Sequence, residues 1–168
     1  MSKPCLALKL NVINYGQIAI LLDRRETKMG IDILIVDDNA GMLKTMSRLI
    51  EPYGLSYMSF ESGWNALYYL RGLPSWEMPK AYFIDMKTAN DVEHASKAEL
   101  ESPLEIYLRV KAKGADKYFI FLTGHLSPHD DEVIGETEAR VLLKGDETAP
   151  EKIHEILRAI AADKTRNS

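Results

Sequence analysis

The sequence predicts an α/β fold, a parallel sheet of five strands with helices on both faces, and three observations predict it. Five short apolar runs, rich in β-branched and aromatic residues, recur along the chain. Amphipathic segments at helical spacing separate most of them, so consecutive strands cross over and run parallel. The runs also end on residues that carry chemistry: Asp37-Asp38, Asp85, Thr123-Gly124 and Lys144-Gly145.

The elements follow in order. Ile31 to Val36 is a β-branched apolar run bounded by acids, as suits a strand buried on both faces. Asn39 is a helix cap, and Met42, Leu43, Met46, Leu49 and Ile50 follow helical spacing until Pro52 and Gly54 close the helix. Leu55 to Phe60 is the second strand. Ser62 to Leu70 is the second helix, with Trp64, Leu67, Tyr68 and Leu70 as packing residues. Ala81 to Ile84 is the third strand, stopping at Asp85. Residues 87–102 are polar without a period and read as a long loop. Pro103 to Lys113 is a helix ending at Gly114. Tyr118 to Leu122 and Val141 to Leu143 are the last strands. Glu151 to Ala162 is an amphipathic helix through Ile153, Ile156, Leu157 and Ile160.

The first thirty residues read differently. Leu6, Leu8, Leu10 and Val12 alternate with polar or small residues, and Asn14-Tyr15-Gly16 is a turn signal. This stretch reads either as a β-hairpin extending the domain or as a non-native start, with Met29 as the natural first residue. The expected organisation is therefore an extension over 1–30, the domain over 31–163 and a tail over 164–168.

At 168 residues the chain is one domain's worth, able to bury roughly 70% of its unfolded surface. A net charge of −4 gives no footprint for nucleic acid or an anionic membrane surface. No apolar run approaches the ~20 residues needed to cross a bilayer. The single cysteine, Cys5, excludes an internal disulfide framework, and the expected setting is cytoplasmic.

In an open α/β sheet, ligands bind beyond the carboxyl ends of the strands. Three carboxylates, a hydroxyl and an amine gather there. Like charges that close repel and raise one another's pKa unless a cation sits among them. Hard carboxylate oxygens suit Mg²⁺.

Ile33-Leu34-Ile35-Val36-Asp37-Asp38, Phe83-Ile84-Asp85-Met86, Phe121-Leu122-Thr123-Gly124 and Leu142-Leu143-Lys144 together resemble the response-regulator receiver domain, over about residues 30–163. The resemblance implies a doubly wound, flavodoxin-like sheet of order 2-1-3-4-5. It implies Asp85 as the phosphoacceptor, Asp37 and Asp38 as the acidic pair for Mg²⁺, and the backbone carbonyl of Lys87 as a further ligand. Lys144 matches the phosphoryl-pairing cation and Thr123 the hydroxyl that responds to the phosphoryl group. The implied partners are a sensor histidine kinase or phosphotransfer protein and a downstream protein target. The chain stops soon after its last helix, so a stand-alone regulator acting through protein contacts is expected. Its last helices and the N-terminal hairpin are the candidate contacts for a homodimer.

Two positions and one segment depart from the family pattern. Gly145 replaces the usual proline after the lysine, Val141 replaces a common aromatic, and Lys87-Thr88-Ala89-Asn90-Asp91 replaces a segment with proline and glycine. The Lys87 ammonium reads either as a cation acting at the pocket or as a rim lysine with its head in water. Ser127 to Glu132 starts like a short helix and is interrupted by Gly135, which implies a re-shaped partner face. These departures keep a second reading open, a phosphorylation-independent pseudo-receiver used for docking. A haloacid-dehalogenase-type phosphohydrolase is rejected by motif order, because there the nucleophile lies on the first strand. His125 and His129 lack one-helix geometry and a third soft ligand for zinc. His94 and His154 read as surface residues.

Overall fold

The computed structural model describes residues 30–86, 102–124, 134–135 and 137–166. Its strands are β1 (Ile33–Val36), β2 (Tyr57–Phe60), β3 (Ala81–Asp85), β4 (Tyr118–Thr123) and β5 (Arg140–Leu143). Its helices are α1 (Ala40–Ile50), α2 (Gly63–Arg71), α3 (Ser102–Ala112) and α4 (Ala149–Arg166). The strands form one sheet of order β2-β1-β3-β4-β5. Every pair is parallel, with Ile33 opposite Tyr57 and Ala81, Ala81 opposite Tyr118, and Ile120 opposite Arg140. The predicted sheet and strand order are those observed.

The period-two alternation of side chains divides the core into two layers. Ile33 and Ile35 of β1, Phe83 of β3, and Ile120 and Leu122 of β4 face one side. There they meet Leu43, Met46 and Ile50 of α1 and Ile153, Ile156, Leu157 and Ile160 of α4. Leu34, Val36, Tyr82, Ile84, Phe119 and Phe121 face the other side, against Ala66, Leu67 and Leu70 of α2 and Ile106, Tyr107 and Val110 of α3. On this second face Phe119 stacks on Tyr82 at 5.4 Å and meets Tyr107 and Phe121 edge-on at 5.2 Å each. Each large side chain so buried contributes about 1.5–3 kcal/mol.

Asn39 caps α1 as predicted, its Oδ1 accepting from Gly41 N and Met42 N. α1 passes into a 3₁₀ turn over Glu51–Tyr53, which Gly54 ends at φ 62°. Gly114, at φ 66°, follows α3 in the same left-handed region.

Several expectations need correction. β1 begins at Ile33, two residues later than predicted, and α3 begins at Ser102, inside the predicted loop. Tyr68 is 67% exposed rather than packed, because the buried stripe of α2 runs through Gly63, Ala66, Leu67 and Leu70 and leaves Tyr68 off it. α4 continues through Lys164 to Arg166, where a tail was expected. Its polar last turns are tied down: Asp163 accepts from Lys117 Nζ at 2.6 Å and Tyr118 Oη at 3.1 Å, and Lys164 Nζ lies 2.8 Å from Asp32 Oδ2. His154 is half-buried, with Nδ1 2.8 Å from Tyr53 Oη, so it is a packing contact between α4 and the 3₁₀ turn. The N-terminal hairpin, Cys5, Lys87, His94, His125, His129 and the short helix at 127–132 lie outside the described residues. Among the described residues, no helix is long and apolar enough to cross a membrane.

Candidate functional site at the carboxyl edge of the sheet

Parallel strands bring all their carboxyl ends to one edge, and short backbone bonds extend the ladder into the site. Asp37 N donates to Phe60 O at 3.0 Å, Met86 N to Leu122 O at 3.0 Å and Lys144 N to Thr123 O at 2.8 Å. These bonds fix where Asp37, Asp85 and Lys144 leave the sheet.

The predicted residues meet there. Asp37, Asp38 and Asp85 each offer a carboxylate oxygen, and the three oxygens lie within 4.8 Å of one another. Asp37 and Asp85 are buried and Asp38 is exposed. The Lys144 Nζ stands between the buried pair, 2.6 Å from Asp85 Oδ2 and 2.7 Å from Asp37 Oδ2. Thr123 is fully buried at the end of β4. Four of the five side chains singled out from strand ends thus share one charged cluster, with Thr123 at the adjoining strand end.

Electrostatics follow from burial. Loss of water pushes the Asp37 carboxyl above its ordinary range, more than the Lys144 ammonium beside it can offset, and the Asp85 charge adds to the rise. Burial works against the Lys144 ammonium too, but the carboxylates of Asp37 and Asp85 outweigh it and hold that pKa above the usual lysine value. Three carboxylates facing one ammonium leave a formal excess of negative charge.

The donor set fits a hard divalent cation. Asp37 Oδ2 is buried and, apart from its ion pair with Lys144, accepts no well-angled hydrogen bond among the described residues. Oxygen donors of this kind, two buried and one open to water, suit Mg²⁺, which keeps several waters when bound. Asp37, Asp38 and Asp85 are the side chains that would hold it. The remaining expected ligand, the Lys87 carbonyl, lies outside the described residues.

One contribution was not read from the sequence. The Asn39 backbone N–H donates to Asp37 Oδ1 at 2.9 Å, so the helix cap also grips the buried acid. The signal for it is the two-residue spacing of Asp37 and Asn39, the span of an Asx turn. Gly145 has open space where its side chain would be, and Val141 is half-buried against the second core layer.

No family model matches this sequence, and no curated protein matches it. Solved structures do. The chain is similar to a response regulator receiver domain protein (CheY-like) from Methanospirillum hungatei JF-1, at 17% identity and TM-score 0.60, over 83% of this chain and 100% of that one. It is similar to the signal receiver domain of an HD domain-containing protein from Pseudomonas fluorescens Pf-5, at 18% identity and TM-score 0.57, over 83% and 100%. A response regulator receiver protein from Sinorhizobium medicae WSM419 matches at 13% identity and TM-score 0.58, over 81% and 98%. The fold of this chain is that of a response-regulator receiver domain.

Proposed function

We propose that this chain is a phosphoacceptor receiver that takes a phosphoryl group on Asp85 from a phosphohistidine of a sensor kinase or phosphotransfer protein. The observation that carries the reading is the Lys144 ammonium held between Asp85 and Asp37, with Asp38 alongside. Phosphoryl transfer asks for positioning and charge neutralisation more than for covalent machinery. The Asp85 carboxylate oxygen attacks phosphorus, the P–N bond to the donor imidazole breaks, and a mixed anhydride forms on Asp85. Lys144 then pairs with a phosphoryl oxygen, and the Thr123 hydroxyl turns toward the new group. Mg²⁺, when bound by Asp37, Asp38 and Asp85, supplies further neutralisation of the phosphoryl oxygens. Signalling would pass through protein contacts in the cytoplasm.

The test is phosphorylation of the full chain by acetyl phosphate, with Mg²⁺ or with EDTA, read by intact mass. One added phosphoryl group that needs Mg²⁺ and disappears in Asp85→Asn supports the reading. A wild type that stays unmodified and does not bind beryllofluoride sinks it. That outcome favours the pseudo-receiver, which the pairing of both carboxylates with Lys144 also accommodates.

A further inference from the structure

The buried acid of the site is held by its neighbour's backbone. Asn39 has extended backbone, φ −87° and ψ 104°, and caps α1 by accepting from Gly41 N at 2.9 Å and Met42 N at 3.2 Å. In this conformation its own N–H donates to Asp37 Oδ1 at 2.9 Å. With Oδ1 engaged, Oδ2 is the oxygen that faces Lys144. Gly41 bears on the same geometry from a second direction. A Cβ at position 41 would stand 3.0 Å from Asn39 Oδ1, tighter than ordinary contact, so that oxygen must shift by a few tenths of an ångström to make room.

We propose that Asn39, with room made by Gly41, is a positioning residue of the acidic site. Its side-chain cap fixes the backbone N–H that holds Asp37 Oδ1, and so leaves Oδ2 turned toward a divalent cation. The proposal rests on reading this cluster as a Mg²⁺ centre. It separates helix stability from cation binding, because position 41 lies inside α1, where alanine is a better helix former than glycine. Gly41→Ala therefore favours α1 through propensity while disturbing the site.

The probe is Mn²⁺, titrated into the full-length protein and followed by water-proton relaxation, with melting temperatures measured in EDTA. Asn39→Ala is expected to bind Mn²⁺ about tenfold more weakly, the scale of losing a group that orients a metal ligand. Asn39→Ser, which keeps a capping oxygen, restores binding. Gly41→Ala weakens binding without lowering the melting temperature. If Asn39→Ala melts lower yet binds Mn²⁺ as wild type does, Asn39 is a helix cap alone and the proposal is overturned. A wild type that binds no Mn²⁺ removes the metal reading itself, and this shows before any variant is made.

Discussion

The Lys144 ammonium lies 2.6 Å from Asp85 Oδ2, joining residues 59 positions apart in the chain. It also lies 2.7 Å from Asp37 Oδ2, so one cation pairs with two buried acids. Replacing Lys144 with methionine leaves those acids facing each other without a counter-charge. Breaking a largely buried ion pair in this way costs about 2 kcal/mol or more. Denaturant unfolding of Lys144→Met in EDTA should show that loss, and added Mg²⁺ should recover part of it. An unchanged midpoint would mean the pairing contributes nothing.

Asp37 and Asp38 are neighbours in sequence but not in environment. The ionised form of buried Asp37 is disfavoured by loss of water, so Asp37→Asn is expected to stabilise the metal-free protein at neutral pH. Exposed Asp38→Asn should shift metal-free stability by no more than about 0.5 kcal/mol. Both should shrink the stabilisation by Mg²⁺, which for wild type reaches about 2.7 kcal/mol at a hundred times the dissociation constant. Thermal melts with and without Mg²⁺ separate the two. A full Mg²⁺ response in Asp37→Asn would contradict the site.

At the opposite edge of the sheet, Asp32 is buried among partners from three separate stretches of the chain. Its carboxylate accepts from Lys164 at 2.8 Å and from Ser56 N and Oγ at 2.9 Å each, and pairs with Lys80 at 3.1 Å. Burial opposes its charged form, but the bonds from Lys164, Ser56 and Lys80 outweigh that and hold its pKa below the ordinary 3.8. A carboxyl depressed on folding gives stability that is complete above its unfolded pKa and is lost as pH falls through the folded one. Stability against unfolding, measured from pH 7 downward, should therefore decline below about pH 4. Asp32→Asn should flatten that decline and cost about 2 kcal/mol at pH 7. An acid limb identical in the variant would place the decline elsewhere.

The Tyr82 hydroxyl is buried with no hydrogen-bond partner among the described residues, while its ring stacks on Phe119. Tyr82→Phe keeps the ring and removes the orphan donor. Such a change is expected to be neutral or stabilising by up to ~1 kcal/mol. A loss of more than ~1 kcal/mol on chemical denaturation would reveal a partner for the hydroxyl.

Much of the fold was legible because its signals are local. Ile33 to Val36 is apolar at every position because both faces of β1 are covered, and Asn39 marks the start of α1 by its own side chain. Gly54 and Gly114 mark ends by taking a backbone conformation that other residues resist. Boundaries apart, the misreadings are tertiary. Tyr68 and Leu67 differ by one residue and look alike in a helical pattern, yet only Leu67 lies on the stripe that meets the sheet. Nothing near Asp163 and Lys164 announces that Lys117, Tyr118 and Asp32 wait to extend the last helix.

By itself the sequence determined five strands, their parallel direction and the chemistry on which four of them end, since parallel strands deliver their last residues to a common edge. Only the tertiary structure decided that Asp37 is buried while Asp38 stays in water, that Lys144 bridges two acids, and that Asn39 grips one of them. The reason is one of scale. Pattern fixes which face and which end a residue occupies, whereas pairing of charges turns on ångström distances that exist once all five strands are in register.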